Sequence, residues 1–339
     1  MKRLFALGLI FSMVFVYGIV FAQTDKENYQ TRISELQKKL TDVVAQMEDA
    51  NKRGDVNAYN RLDEEYKKTK AEIDNLMAEY AAKGDKDSRI KAAYNKGNQS
   101  LRSGQNDEAL THFNEAISLD PSHAKAYFGK GIALKRLRRY ADAEAAYKKA
   151  IELDPSYSFA YFNLGILYRD QERYDEAIQV YRNALAADSS IAEAHYEIGY
   201  TYSKRKDNDN AVKAFRGAVR VDPKYDKAFV SLGRALIESG RLDDAVNALE
   251  QAITIKSNNV DAYYWLAQAF NSLSRHQQAL SAAQSCLTLK NNFYACYIEV
   301  GKAYEGLGDV TNAITNYEQA AKDRRLKEWV DWKIKNLKK

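Results

Sequence analysis

Proline is nearly missing from this chain. Three stand among 339 residues, too few for a disordered or proline-rich protein. Cysteine is scarcer still: Cys286 and Cys296 only. Two thiols with no histidine beside them make an incomplete zinc site, so no metal is expected. The four histidines, His112, His123, His195 and His276, are too scattered for a catalytic cluster, and His195 and His276 read as packing residues. No glycine-rich phosphate loop, nucleophile elbow or His-Glu-x-x-His helix is present. No enzyme activity and no cofactor are therefore expected. Charge of one sign is lacking too. The formal net charge is +5, and without Lys2 and Arg3 it is 49 basic against 46 acidic residues. That balance leaves no general nucleic-acid or membrane-surface footprint.

What remains is a comb. Pro121, Pro155 and Pro223 stand at multiples of 34 residues from one another, each preceded by aspartate (Asp120, Asp154, Asp222). Proline stops a helix, so regular stops mark a unit built 34 residues at a time. Alanine keeps the step without a break at Ala109, Ala143, Ala177, Ala211, Ala245, Ala279 and Ala313. Glycine keeps it at Gly97, Gly131, Gly165, Gly199, Gly233 and Gly301, with Ala267 in the sixth place. A large apolar register runs Phe113, Tyr147, Tyr181, Phe215, Leu249 and Tyr317, with Ala283 the exception. Small residues fill a fourth register from Ala116 to Ala320, with Cys286 among them. Small residues let antiparallel helices approach, and a bulky ring plugs the space beside them.

This pattern resembles the tetratricopeptide-repeat (TPR) family. The resemblance implies an all-α fold, a right-handed α-α superhelix of seven repeats at 90–123, 124–157, 158–191, 192–225, 226–259, 260–293 and 294–327. A C-terminal capping helix is expected at 328–339, covering the last apolar face with Trp329, Val330, Trp332, Ile334 and Leu337.

Before the repeats, Lys2 and Arg3 precede an uncharged apolar run, Leu4 to Phe21, that ends at Ala22. Residues 1–22 thus have the parts of a secretory signal peptide, with an uncleaved membrane anchor as the alternative. Either reading exports the remainder of the chain, to the periplasm or cell envelope. Residues 23–84 carry a heptad seam: Ile33, Leu36, Leu40, Val43, Met47 and Ala50, then Leu62, Tyr66, Thr69, Ile73, Leu76 and Tyr80. Gly54 can end the first helix and Asp55 cap the second. The seam suits an antiparallel coiled-coil hairpin or a homo-oligomer. Residues 85–89 read as a linker. Signal, coiled coil and repeats together resemble periplasmic coordinators of peptidoglycan synthesis and outer-membrane constriction.

The resemblance also places a binding groove. First helices of the units would line the concave wall, with Tyr94, Phe128, Phe162, Tyr196 and Tyr264 at the fifth slot of their units and Asn98 and Tyr200 at the ninth. Cations including Lys135 and Arg169 would rim it, suiting an acidic peptide. Aromatic residues bury much area at small entropy cost. The expected function is a non-catalytic adaptor holding another protein or peptide of the envelope; the alternative is a structural spacer without a groove ligand. Cys286 and Cys296 face one another across the joint of units six and seven, as a disulfide or as two small packing residues.

Overall fold

The heptad seam closes within the chain. The computed structural model describes residues 23–338; the signal or anchor segment, residues 1–22, lies outside them. Helix α1, Gln23–Arg53, packs antiparallel on α2, Val56–Arg102. All six seam residues of α1 are buried, and Leu36 and Leu40 cluster with Ile73. The turn between the helices follows from two residues. Gly54 takes a left-handed φ of +66°, and a carboxylate oxygen of Asp55 accepts from the Ala58 N–H at 2.9 Å. Ion pairs Arg32–Glu72 (3.1 Å) and Lys39–Glu65 (2.9 Å) cross the seam, but both are exposed and contribute little. Burial of the seam holds the hairpin.

Residues 85–89 are not a linker. They lie inside α2, which runs unbroken for 47 residues, about 70 Å at 1.5 Å per residue. Nothing there breaks a helix: the segment has no proline, and the single Gly84 costs only about 1 kcal/mol. The first helix of repeat one is thus the end of the hairpin's second helix.

The chain divides into two units, residues 1–139 and 140–339. In the first, α3 (Asn106–Leu119) packs on the end of α2, and α4 (Ala124–Arg136) packs on α3. Ala93, Leu101, Phe113, Ala116 and Ala133 make their shared core. The second unit holds α5 (Tyr140–Leu153), α6 (Ser158–Asp170), α7 (Tyr174–Ala187), α8 (Ala192–Lys204), α9 (Asn208–Val221) and α10 (Asp226–Glu238). It continues with α11 (Leu242–Ile255), α12 (Val260–Ser272), α13 (His276–Leu289), α14 (Tyr294–Gly306), α15 (Val310–Ala320) and α16 (Arg324–Leu337). No strand occurs among the described residues.

The four registers seen in the sequence are the packing of these helices. Every alanine from Ala109 to Ala313 has no exposed surface, nor has any small residue from Ala116 to Ala320, Cys286 included. The aspartates before the prolines close the turns between units. Asp154 accepts from the N–H and hydroxyl of Ser156 at 3.0 and 2.6 Å. Asp188, followed by Ser189 rather than proline, makes the same pair with Ser190 at 2.9 and 2.6 Å. The aspartate side-chain turn, then, rather than the proline, is the common device.

Helix α13 and helix α14 are joined by a disulfide, Cys286–Cys296, with Cα atoms 6.5 Å apart. The cap differs from its expectation. It starts four residues earlier, at Arg324, where the carboxylate of Asp323 accepts from the Arg325 N–H at 3.0 Å. Its inward stripe is Leu326, Val330, Ile334 and Leu337, while Trp329 and Trp332 remain 39% and 60% exposed. Steps of four and three from Leu326 put these aliphatic residues on one face and turn the indoles away.

Candidate functional site

The fifth-slot rings are built into the repeats before they can serve a partner. Each is half-buried. In the first unit, the Tyr94 ring centroid lies 6.0 Å from that of Phe113 and 5.1 Å from that of His123. His123 itself caps α4, its Nδ1 accepting from the Ala126 N–H at 3.1 Å. In the second unit, Phe162 packs on Tyr181 at 5.8 Å, and Tyr196 on Phe215 at 5.6 Å and Tyr225 at 5.3 Å. Tyr264 lies 4.9 Å from Trp265 and 5.4 Å from Phe293. Tyr94 and Tyr196 thus link their own unit's second helix to the N-cap of the next unit's first helix; Phe162 packs on the second helix and Tyr264 on the next N-cap. Deleting such a ring would loosen packing as well as remove a contact surface.

Of the residues expected to bind, Tyr94, Asn98, Phe128 and Lys135 lie half-buried on α2 and α4 of the first unit. The second unit brings Arg169, Tyr196 and Tyr200 together. They line a cleft of about 370 Å³ with Glu197, Lys204 and Lys227. An adjoining cleft of about 300 Å³ is lined by Tyr196, Tyr200, Ser203, Lys204, Ser231 and Arg234. Helices α6, α8 and α10 supply most of these side chains, as first helices of successive repeats. Phe162 and Tyr264 line neither cleft.

Arg169 is not a free rim cation. Its guanidinium pairs with Glu197 and, at 2.7 Å, with Asp170, and it lies 5.6 Å from the centroid of the Tyr200 ring. Burial alone would lower its pKa, but hydrogen bonds to Asp170 and Glu197 outweigh burial and hold the charge firmly. Lys204 stands 5.4 Å from the same ring centroid. The larger cleft carries Arg169, Lys204 and Lys227 against Asp170, Glu172 and Glu197. Its charge is balanced, so the acidic preference expected of the ligand has no support in these residues. In the second cleft Arg234 is likewise engaged, donating to Glu238 at 2.8 Å and lying 5.2 Å from the Trp265 centroid. Arg136, next to Lys135 on α4, donates to the Leu101 carbonyl at 2.5 Å.

Sequence reasoning missed the acid that fixes Arg169, although its spacing recurs along the chain. The partner of Arg169 is 28 residues on, at Glu197. Asn271 donates to Glu299, also 28 residues on, at 2.9 Å. Glu305 accepts from Lys333 across the same interval, at 2.8 Å. One repeat minus six residues carries the end of one first helix to the early turns of the next. Glu299, 2% exposed, also pairs with Lys302 at 2.8 Å. Among the described residues no three His, Cys, Asp or Glu side chains are placed to hold a metal ion.

Family comparison agrees with this architecture. A tetratricopeptide-repeat profile matches residues 94–158 and 162–226, a TPR-repeat profile 233–273, and a further tetratricopeptide-repeat profile 260–293 and 294–322. No curated protein matches the chain in sequence. Among solved structures, the C-terminal part of a TPR repeat-containing protein from Cytophaga hutchinsonii overlays 70% of this chain and 98% of its own, at 17% identity and a TM-score of 0.59. PilF of Pseudomonas aeruginosa overlays 62% of this chain and 96% of its own, at 18% identity and a TM-score of 0.53. A tetratricopeptide repeat protein from Parabacteroides merdae overlays 74% of this chain and all of its own, at 16% identity and a TM-score of 0.50. These likenesses establish the fold alone. Matched along most of its length from residue 94 to residue 322, the chain belongs to the tetratricopeptide-repeat family.

Proposed function

We propose that the chain is a non-catalytic protein-interaction scaffold of the cell envelope, and that an extended segment of its partner lies in the clefts around Tyr196 and Tyr200. One observation carries the site: both clefts share Tyr196, Tyr200 and Lys204. A segment passing from one cleft to the other keeps contact with the same two rings throughout. Aromatic side chains at the centre of a contact dominate binding energy. Balanced charge around them suits a segment of mixed polarity rather than a strongly acidic one. Export rests on the basic and apolar character of residues 2–21.

The test compares wild type with a Tyr200→Ala, Lys204→Glu variant. Tyr200 is preferable to Tyr196, which packs on Phe215 and Tyr225. Each full-length chain is immobilised and used to capture proteins from gently solubilised envelope, with circular dichroism confirming equal helicity. A protein held by the wild type and lost from the variant is the expected result. Identical captures would remove the clefts from the function and leave a structural spacer.

A further inference from the structure

The excess charge of this chain is not spread along it. Residues 324–339 hold seven Lys or Arg and two Asp or Glu; the rest of the chain then has 44 of each sign, so the net +5 belongs wholly to these sixteen residues. Residues 324–337 of this stretch form α16, whose aliphatic stripe is spent against α15. The other side carries Trp332, 60% exposed, and Trp329, 39% exposed, which touches Tyr317 edge-on at 5.8 Å. Of the three acids on α16 or at its start, Asp323 pairs with Arg325 at 2.6 Å and Asp331 with Lys327 at 3.0 Å, and Glu328 is exposed. Arg324, Lys335 and Lys338 have no acidic partner among the described residues.

We propose that the outer face of α16 docks on an anionic lipid surface, with Trp329 and Trp332 seated at the headgroup level and the unpaired cations against lipid phosphates. Two indoles beside three free cations match what interfacial helices use: amphipathic rings at the boundary and basic residues drawn to negative headgroups. An acidic protein partner is less well served. Two indoles offer a small apolar area against the roughly 800 Å² per partner that a stable protein interface buries. This contact is independent of the clefts, and it calls for no apolar span; no described helix is long and apolar enough to cross a membrane.

The three tryptophans of the chain, Trp265, Trp329 and Trp332, provide the readout. In a full-length Trp265→Phe protein only the two cap indoles emit. Added to vesicles of brominated phosphatidylcholine with phosphatidylglycerol, this protein is expected to shift its emission to the blue and be quenched. Vesicles lacking the anionic lipid should bind about a hundredfold more weakly, and so quench far less at equal lipid, since each of the three cations near a negative surface adds about 1 kcal/mol, or about fivefold. Lys335→Glu with Lys338→Glu, both exposed and so harmless to folding, should abolish the effect. A Trp329→Phe, Trp332→Phe protein, emitting from Trp265 alone, should not be quenched. Absent quenching of the cap indoles, equal quenching in neutral vesicles, or equal quenching of Trp265 would each overturn the proposal. Capture of an acidic protein by α16 without vesicle quenching would transfer the face to that partner.

Discussion

A Cβ placed on Gly165 would meet ring carbons of Tyr181 at 2.6 Å. The same encounter recurs sixteen residues apart in other repeats, with Gly199 against Phe215 at 2.7 Å and Gly301 against Tyr317 at 2.5 Å. Unit six breaks both registers at once: Ala267 replaces the glycine and Ala283 the ring. The two exceptions are one exchange, since a methyl group on the first helix fills space that the ring no longer takes. Gly165→Ala should therefore destabilise the array by about 1–3 kcal/mol, read by urea unfolding. Gly165→Ala combined with Tyr181→Ala should lose less than the sum of the two single changes. Additive losses would disprove the pairing.

Two tyrosines in the same register should respond oppositely to loss of their hydroxyl groups. The Tyr181 hydroxyl is buried without a hydrogen-bond partner, and burial, with Glu197 nearby, pushes its pKa well above the ordinary range. The Tyr317 hydroxyl donates to Glu305 at 2.9 Å. Tyr181→Phe should be neutral or stabilising, because it removes a desolvated polar group that gains nothing in return. Tyr317→Phe should cost about 1–2 kcal/mol, as a hydrogen bond to a charged acceptor is lost. Thermal melts of the two variants settle it, and a larger loss for Tyr181→Phe would contradict the assignment.

Acid should weaken the second unit through Glu144. Its carboxylate accepts from Arg173 at 2.7 Å, Lys148 at 2.7 Å and Tyr168 at 2.9 Å. Burial works to raise its pKa, but these donors outweigh it and hold the value at about 2 instead of 4.5. A carboxylate depressed in the folded state stabilises above its unfolded pKa. That contribution fades as pH falls from about 4.5 towards 2, and amounts to about 1–2 kcal/mol once solvent screening is allowed for. Glu144→Gln should reduce stability at neutral pH and flatten its decline across that window. Parallel pH profiles for wild type and variant would show that Glu144 is not the group responsible.

The disulfide should matter mainly through the unfolded chain. Closing the loop between Cys286 and Cys296, ten residues apart, restricts the unfolded ensemble by about 2–3 kcal/mol. Reduction should lower the melting temperature and speed hydrogen exchange in α13 and α14 before the hairpin changes. Cys286→Ala with Cys296→Ala should melt like the reduced protein, because alanine fills the corresponding place in other repeats. Unchanged melting on reduction would mean that the thiols act only as packing groups.

Spacing made the repeats legible, because Gly165 and Tyr181 constrain one another through sterics that sequence displays directly. The seam and its turn were legible for the same reason, in Leu40, Gly54 and Asp55. Residues 85–89 misled because charged, polar composition resembles a linker while still satisfying a helix. Arg169 misled in another way: its charge is visible in sequence, but its neutralising partner Glu197 sits 28 residues off. Trp332 read as a capping residue because hydrophobicity says nothing of direction. Only the competing stripe through Leu326 and Val330 decides which face turns inward.

The turn inside each repeat places its fifteenth residue in the left-handed region, whatever its type. Gly104, Gly240 and Gly308 adopt φ of +77°, +75° and +81°, but Arg138, Glu172 and Lys206 each sit at +60° and Ser274 at +56°. A side chain there costs about 1–2 kcal/mol, whereas glycine adopts the conformation freely but loses more entropy on folding. The first effect exceeds the second, so Lys206→Gly and Ser274→Gly should each stabilise by about 0.5 kcal/mol. Gly240→Ala should destabilise by about 1 kcal/mol for the same reason in reverse. No Cβ contact complicates that site, since nothing lies within 4 Å of the one built on Gly240. Urea midpoints moving in opposite directions for Lys206→Gly and Gly240→Ala are the expected result. Movement in the same direction would mean that the turn relaxes out of the left-handed region when its residue is changed.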